Sequence, residues 1–300
     1  MHTLKIGNTD ISNIILGSSY FGSAIDTEKS FALMDIYYAR GGRAIDTARV
    51  YGAWSDAGIG ASEAVIGRWL ASRKPAGVRV ITKGAHPAPG HMEVSRLDRA
   101  SILDDAARSV DALGVTPALW FLHRDDRERP VEEIAETLAA LVDAGYADAV
   151  GASNWRVDRI AVYNAYAGAH GLPCFAASQI QWSLAATTPE AYGDPTLVCM
   201  TDTEYAWYRE YRFPVLAFSS QAKGFFSKAI AHGLDSLPEK ARARFATPEN
   251  LMRLEWVRAE ATSTGRSPAS IVLSYITENE VPAAAVIGCS SVEQLLDSLS

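Results

Sequence analysis

Cysteine is scarce in these 300 residues and forms no pattern. Cys174, Cys199 and Cys289 are odd in number and far apart, with no Cys-x-x-Cys. That excludes a disulfide framework and a thiolate zinc site, and fits a reducing cytoplasm. No His, Asp or Glu cluster has metal-ligand spacing, so no metal is expected, and no Ser or Cys lies in a nucleophile elbow. Runs of Lys or Arg are missing too. With a formal net charge of -7 the chain offers no footprint for a phosphate backbone, and nucleic acid is excluded as a partner. No apolar segment suits a signal peptide or a membrane span, so neither export nor a membrane is expected. What is there is an ordinary globular composition, 48% hydrophobic and 21% charged.

Periodicity organises it. Leu4 to Leu16 alternates around Gly7-Asn8-Thr9-Asp10, a hairpin leading into a first strand at Asn13 to Leu16. Asp26 or Thr27 caps a helix with Phe31, Met34 and Tyr38 on one face, and Gly41-Gly42 ends it. Further strands are expected at Arg43–Ile45, Val78–Thr82, Ala118–Leu122, Ala147–Ala152, Ala176–Gln181, Pro214–Phe218 and Ala283–Ile287, with helical stretches between them. The clearest helix follows Pro130, where Val131, Ile134, Ala135, Leu138, Leu141 and Val142 form one apolar stripe. Eight strand and helix pairs predict a (β/α)8 barrel with an N-terminal β-hairpin, as one domain over residues 1–300. Its two longest interruptions, Gly84 to Asp98 and Leu184 to Met200, follow strands and so overhang the C-terminal mouth.

Polar residues gather at that mouth. Successive strands end at Asp46, Lys83, His123, Ser153-Asn154, Gln179 with Gln181, and Ser219-Ser220. A buried Asp, Lys and His converging there are costly unless they serve chemistry. Tyr51 follows Asp46 in Asp46-Thr47-Ala48-Arg49-Val50-Tyr51-Gly52 and can point back towards Lys83. An adjacent ammonium is expected to lower the phenol's pKa from about 10, giving a tuned general acid beside a His123 that directs a substrate oxygen. With no nucleophile and no metal, such a site needs an outside reagent, and a hydride carrier supplies it.

These residues resemble the aldo-keto reductase superfamily over about Leu16 to Leu296. The resemblance implies Asp46, Tyr51, Lys83 and His123 as the catalytic set, with reduction of an aldehyde or ketone or the reverse oxidation. It also implies nicotinamide contacts from Ser153, Asn154 and Gln179, stacking by Trp182 where the family usually has Tyr, and cofactor contact near Ser219. Gly288-Cys289-Ser290-Ser291-Val292-Glu293-Gln294-Leu295 is similar to the family's grip on the adenosine phosphate, through Gly288, Ser290, Ser291 and Gln294. NADP is implied over NAD, although no Arg or Lys stands between Gly288 and Ser300 to pair a 2′-phosphate, leaving Lys223 to compensate. Any C-terminal tail that shapes the pocket in relatives is expected to be short.

Tyr20, Phe21, Trp54 and Arg124 are candidate substrate contacts, with His86 and Asp125 near them, and this mixture suits a sugar-like or otherwise hydroxylated carbonyl. That Arg124 and Asp125 merely pair with each other, or Asp125 with Arg127, in solvent is the plain alternative. Gly58-Ile59-Gly60 reads as a packing loop, and Trp69, Trp207 and Trp256 as fillers of core or grooves. Two other readings stay open: a cofactor-binding regulatory or scaffolding subunit with slow turnover, and a lyase or isomerase using Lys83 as a Schiff base.

Overall fold

Strands β1 (Thr3–Ile6) and β2 (Thr9–Ser12) pair antiparallel across a turn in which Gly7 takes a φ of +56°, and β2 runs straight on into the barrel. The computed structural model describes residues 1–300. Eight strands follow: β3 (Ile14–Gly17), β4 (Ala44–Asp46), β5 (Arg79–Gly84), β6 (Leu119–Leu122), β7 (Val150–Ser153), β8 (Phe175–Gln181), β9 (Val215–Phe218) and β10 (Ala283–Ile287). Each pairs parallel with its neighbours, and β10 closes on β3, so the sheet is a complete ring in chain order. The strands read as unbroken apolar runs because both faces are covered; all four residues of β6, Leu-Trp-Phe-Leu, are buried.

One interior cluster joins Ile15, Ala44, Ile81, Phe121, Leu216 and Ala284 to Ile6 and Ile11 of the hairpin, which fills the barrel's N-terminal end. Outside, helices cover the strands. Asp26 caps Thr27–Ala39 by accepting from Lys29 N, and Asp98 caps Arg99–Leu113 by accepting from Ser101 N. The stripe on Val131–Asp143 faces inward as its spacing requires, with Val131, Ile134, Ala135, Leu138 and Leu141 buried.

The helices Pro189–Tyr192, Phe225–His232 and Glu239–Phe245 were not apparent from periodicity. They are short and separated by Gly193, Gly224, Gly233 and Pro238, each of which interrupts a helical pattern before it repeats. Trp256 fills no groove: it stands 52% exposed on Pro248–Thr264.

Candidate active site

The barrel's C-terminal mouth holds an ion pair almost without water. Asp46 ends β4 and Lys83 lies on the adjacent β5, 3% and 1% exposed. Lys83 Nζ donates to Asp46 Oδ1 and Oδ2, both at 2.8 Å, to the Thr47 carbonyl at 2.7 Å, and to Tyr51 Oη at 3.4 Å. Burial disfavours the ammonium, yet Asp46 and then Tyr51 outweigh it and the pKa of Lys83 is raised. Removing such a pair's hydration costs several kcal/mol per ion, so the arrangement is expensive as mere scaffolding.

Backbone geometry brings Tyr51 to Lys83. Arg49 N donates to Lys83 O and Tyr51 N to Ala48 O, bending the chain back over the mouth. Gly52 follows with a φ of +98°; a Cβ there would come within 2.3 Å of Gly58 O. Arg49 reaches past Gly60 to Glu63, a fully buried carboxylate that also accepts from Thr82 Oγ1 at 2.7 Å. The phenol departs from expectation: burial raises its pKa, Lys83 opposes, and Asp46 cancels part of that opposition, so the net shift is upward. An ammonium already held by a carboxylate has little field left for its neighbour.

His123 follows β6, with its N donating to Gly84 O, and its ring lies edge-on to Tyr51 at 6.0 Å. Its Nδ1 is enclosed and has no partner, which leaves Nε2 as the nitrogen that reaches the cleft. Burial, then His86, Arg124 and Lys83, hold its pKa well below the ordinary value.

Over this floor opens a cleft of about 590 Å³, reaching from Asp46, Tyr51 and His123 to Ser290, Gln294 and Asp297. Ser153, Asn154, Gln179, Ser219 and Gly288 line it, as do Tyr20, Phe21 and Arg124. Asn154 is left-handed, φ +60°; its Nδ2 donates to His123 O and Ser153 Oγ while its Oδ1 accepts from Val198 N. It thus ties β6, β7 and the loop after β8 together. Arg124 donates to Thr196 Oγ1 at 2.9 Å, His123 O at 2.9 Å and Asp194 Oδ2 at 3.3 Å. Neither Asp125 nor Arg127 is its partner; Asp125 pairs with Arg159.

The Aldo/keto reductase family profile matches residues 13–300. The chain belongs to the aldo/keto reductase family. An uncharacterized oxidoreductase, YrpG, of Bacillus subtilis is 26% identical over 96% of this chain and 86% of its own length. Norsolorinic acid reductase stcV of Emericella nidulans is 25% identical over 95% of this chain and 72% of its own. A crystallised aldo/keto reductase from Klebsiella pneumoniae, in complex with NADP and acetate, superposes with a TM-score of 0.71 at 19% identity, over 99% of this chain and 88% of that one, and so shares the fold. Membership, together with oxidoreductases among the relatives, makes this aldo/keto reductase an NAD(P)-dependent oxidoreductase. No helix is long and apolar enough to cross a membrane.

Three expected contacts of this reductase lie off the cleft. Trp182 packs edge-on between Tyr205 and Tyr275 and is 2% exposed. The cause is strand alternation: Ala177 belongs to the barrel interior and Gln179 faces the cleft, whereas Ile180 and Trp182 share the outer face. Phe218, half-buried at the end of β9, does line the cleft, because Leu216 points inward and Ala217 outward. Counting by twos along β9 finds it. Trp54 stands 52% exposed and edge-on to Tyr51 at 5.8 Å, beside the cleft rather than in it. Ser291 caps the last helix by accepting from Gln294 N, while Ser290 donates from N and Oγ to Gln294 Oε1. Tyr192 and Leu197, from the loop after β8, join the lining as well.

Proposed function

We propose that this aldo/keto reductase reduces a carbonyl with Tyr51 as proton donor, and runs the reverse oxidation with the same groups. The observation that carries the reading is the placement of the Lys83 donors on Asp46, Thr47 and Tyr51, with His123 beside the phenol. A nicotinamide cofactor, when bound, supplies the hydride to the carbonyl carbon. Tyr51 gives its proton to the carbonyl oxygen, and Lys83 steadies the phenolate that this leaves. His123 donates from Nε2 to the same oxygen and fixes its direction. Asp46 keeps Lys83 charged and aimed.

The cleft fits a dinucleotide. Ser153, Asn154 and Gln179 line the cleft and would hold a carboxamide, Phe218 offers a face for a planar ring, and Ser219, Gly288, Ser290 and Gln294 line the far end. For NADP over NAD the support is the basic pair Lys223 and Lys228 at the rim. Against a strong preference stand Asp297 in the same lining and the absence of Arg or Lys between Gly288 and Ser300.

The substrate we assign is a hydroxylated, sugar-like carbonyl. Of the five N–H donors of Arg124, three are engaged, leaving two for substrate hydroxyls. Tyr20, 49% exposed, offers a stacking face at the same rim. A 6-dehydroglucose reductase of Novosphingobium aromaticivorans is 36% identical over 129 residues, 41% of each chain. The test is NADPH oxidation against a panel of aldo-sugars, keto-sugars and aromatic aldehydes, repeated in Tyr51→Phe. Retained turnover in that variant removes Tyr51 from the role, and a clear preference for aromatic aldehydes removes the substrate class.

A further inference from the structure

The segment after β5 is built to place one side chain. Gly84 has no room for a Cβ, which would lie 2.2 Å from the Trp120 ring. Ala85 takes a φ of +57°, a left-handed conformation that an L-residue with a Cβ adopts only under strain. Buried Asp105 holds it there by accepting from Ala85 N at 2.7 Å. Both oxygens of Asp105 are gripped by Arg96, at 2.9 and 3.0 Å, and Arg96 Nη1 also donates to His86 O at 3.2 Å. The product is the His86 ring set at 72° to His123, with 4.7 Å between centroids.

Tautomers follow from the acceptors. His86 Nδ1 lies 2.6 Å from Pro87 O; a carbonyl only accepts, so Nδ1 carries the proton and neutral His86 has none on Nε2 to give. His123 Nδ1 is enclosed and has no partner at all. The charged groups around the pair are already matched: Asp46 with Lys83, Asp194 with Arg124, and Asp105 with Arg96. The Tyr51 ring packs edge-on to His123 at 6.0 Å. An imidazolium at His86 would thus face Arg124 and Arg96, and one at His123 would face Arg124 and Lys83, with each neighbouring carboxylate already paired. Burial, then Arg124, brings the pKa of His86 down to about 4.

We propose that His86 is a positioning residue: pressed against His123 by the Ala85–Asp105–Arg96 frame, it keeps water from the inner nitrogen of that ring and holds it neutral, with its proton on Nε2. Its effect on carbonyl binding rests on the role assigned above to His123; its effect on protonation does not.

Histidine-labelled full-length protein, titrated by NMR from pH 8 to 5, tests it. In the wild type the His123 resonances keep the Nε2–H pattern throughout. In His86→Ala, where water reaches Nδ1, His123 titrates within that window, whereas His86→Phe keeps the cover and stays flat. KM for the carbonyl rises about tenfold in His86→Ala with kcat changed less than threefold, and His86→Phe restores it. The proposal is overturned if His123 titrates in the folded wild type, or stays flat in a folded His86→Ala; should that variant not fold, His86→Asn takes its place under the same criteria. Failure of the catalytic reading has a different signature: Tyr51→Phe and His123→Ala keep turnover, whatever the titration returns.

Discussion

Gln179 Nε2 donates to Asp46 Oδ1 at 2.8 Å across the full width of the barrel, since β8 and β4 stand opposite each other in the ring. The carboxylate that aims Lys83 is therefore held from both sides. Gln179→Ala should release it, lowering kcat about tenfold, the cost of roughly one hydrogen bond to a charged group. Lys83→Met in that background should add less than it does alone, and additive losses would show that the two act separately.

Tyr51→Phe should lower turnover by roughly two to four orders of magnitude while cofactor affinity, read by protein fluorescence, stays within about twofold. Because burial raises the pKa of this phenol, it stays protonated through neutral pH. In the reducing direction kcat/KM should hold flat and fall only above about 10. Lys83→Met removes the opposing cation, so that alkaline limb should move further up. A limb below pH 9 in the wild type contradicts the burial argument.

That Asp46, Tyr51, Lys83 and His123 converge was legible in the sequence because Asp46 and Lys83 lie at the ends of β4 and β5, His123 directly follows β6 and Tyr51 sits in the loop after β4, and a barrel sends strand ends to one rim whatever the loops do. Side-chain direction was less legible. Trp182 looked like a stacking ring from its place after Gln179, but three steps along a strand reverses the face, and the period of two points instead to Phe218 on β9. The partner of Arg124 was out of reach for another reason: Asp194 lies seventy residues on, in a loop whose course depends on tertiary packing. The pKa of Tyr51 also could not be read from proximity alone, because the sign depends on how much water the fold removes.

Lys223 and Lys228 offer the only cationic lining at the cofactor end of the cleft. Binding titrations should find NADPH favoured over NADH by about tenfold, less than a fully paired 2′-phosphate provides. Lys228→Ala should narrow the ratio. Equal affinities in the wild type would show that neither lysine reaches that phosphate.

Stability should fall on mild acidification. The pKa of His86 lies near 4 in the folded chain and near 6.5 when unfolded, so the unfolded chain takes up its proton first as pH drops. Stability present above about pH 6.5 is lost as pH falls towards 4, on the order of 3 kcal/mol from this group. Denaturant unfolding at pH 7, 6 and 5 should show the slope, and His86→Phe should make it shallower, leaving the share of the likewise depressed His123. An unchanged slope in that variant would mean that other groups set the acid limit.

Ile6 and Ile11, inserted among Ile15, Ala44, Ile81 and Phe121, make the β1–β2 hairpin a stopper for the barrel. The Asp46–Lys83 ion pair then sits at the floor of a well open only on the cleft side. Attraction between Asp46 and Lys83 weakens several-fold if water reaches them from below. The hairpin from Thr3 to Ser12 carries no group of the candidate site, yet it closes that end of the barrel, and loosening it should lower turnover before any barrel strand gives way.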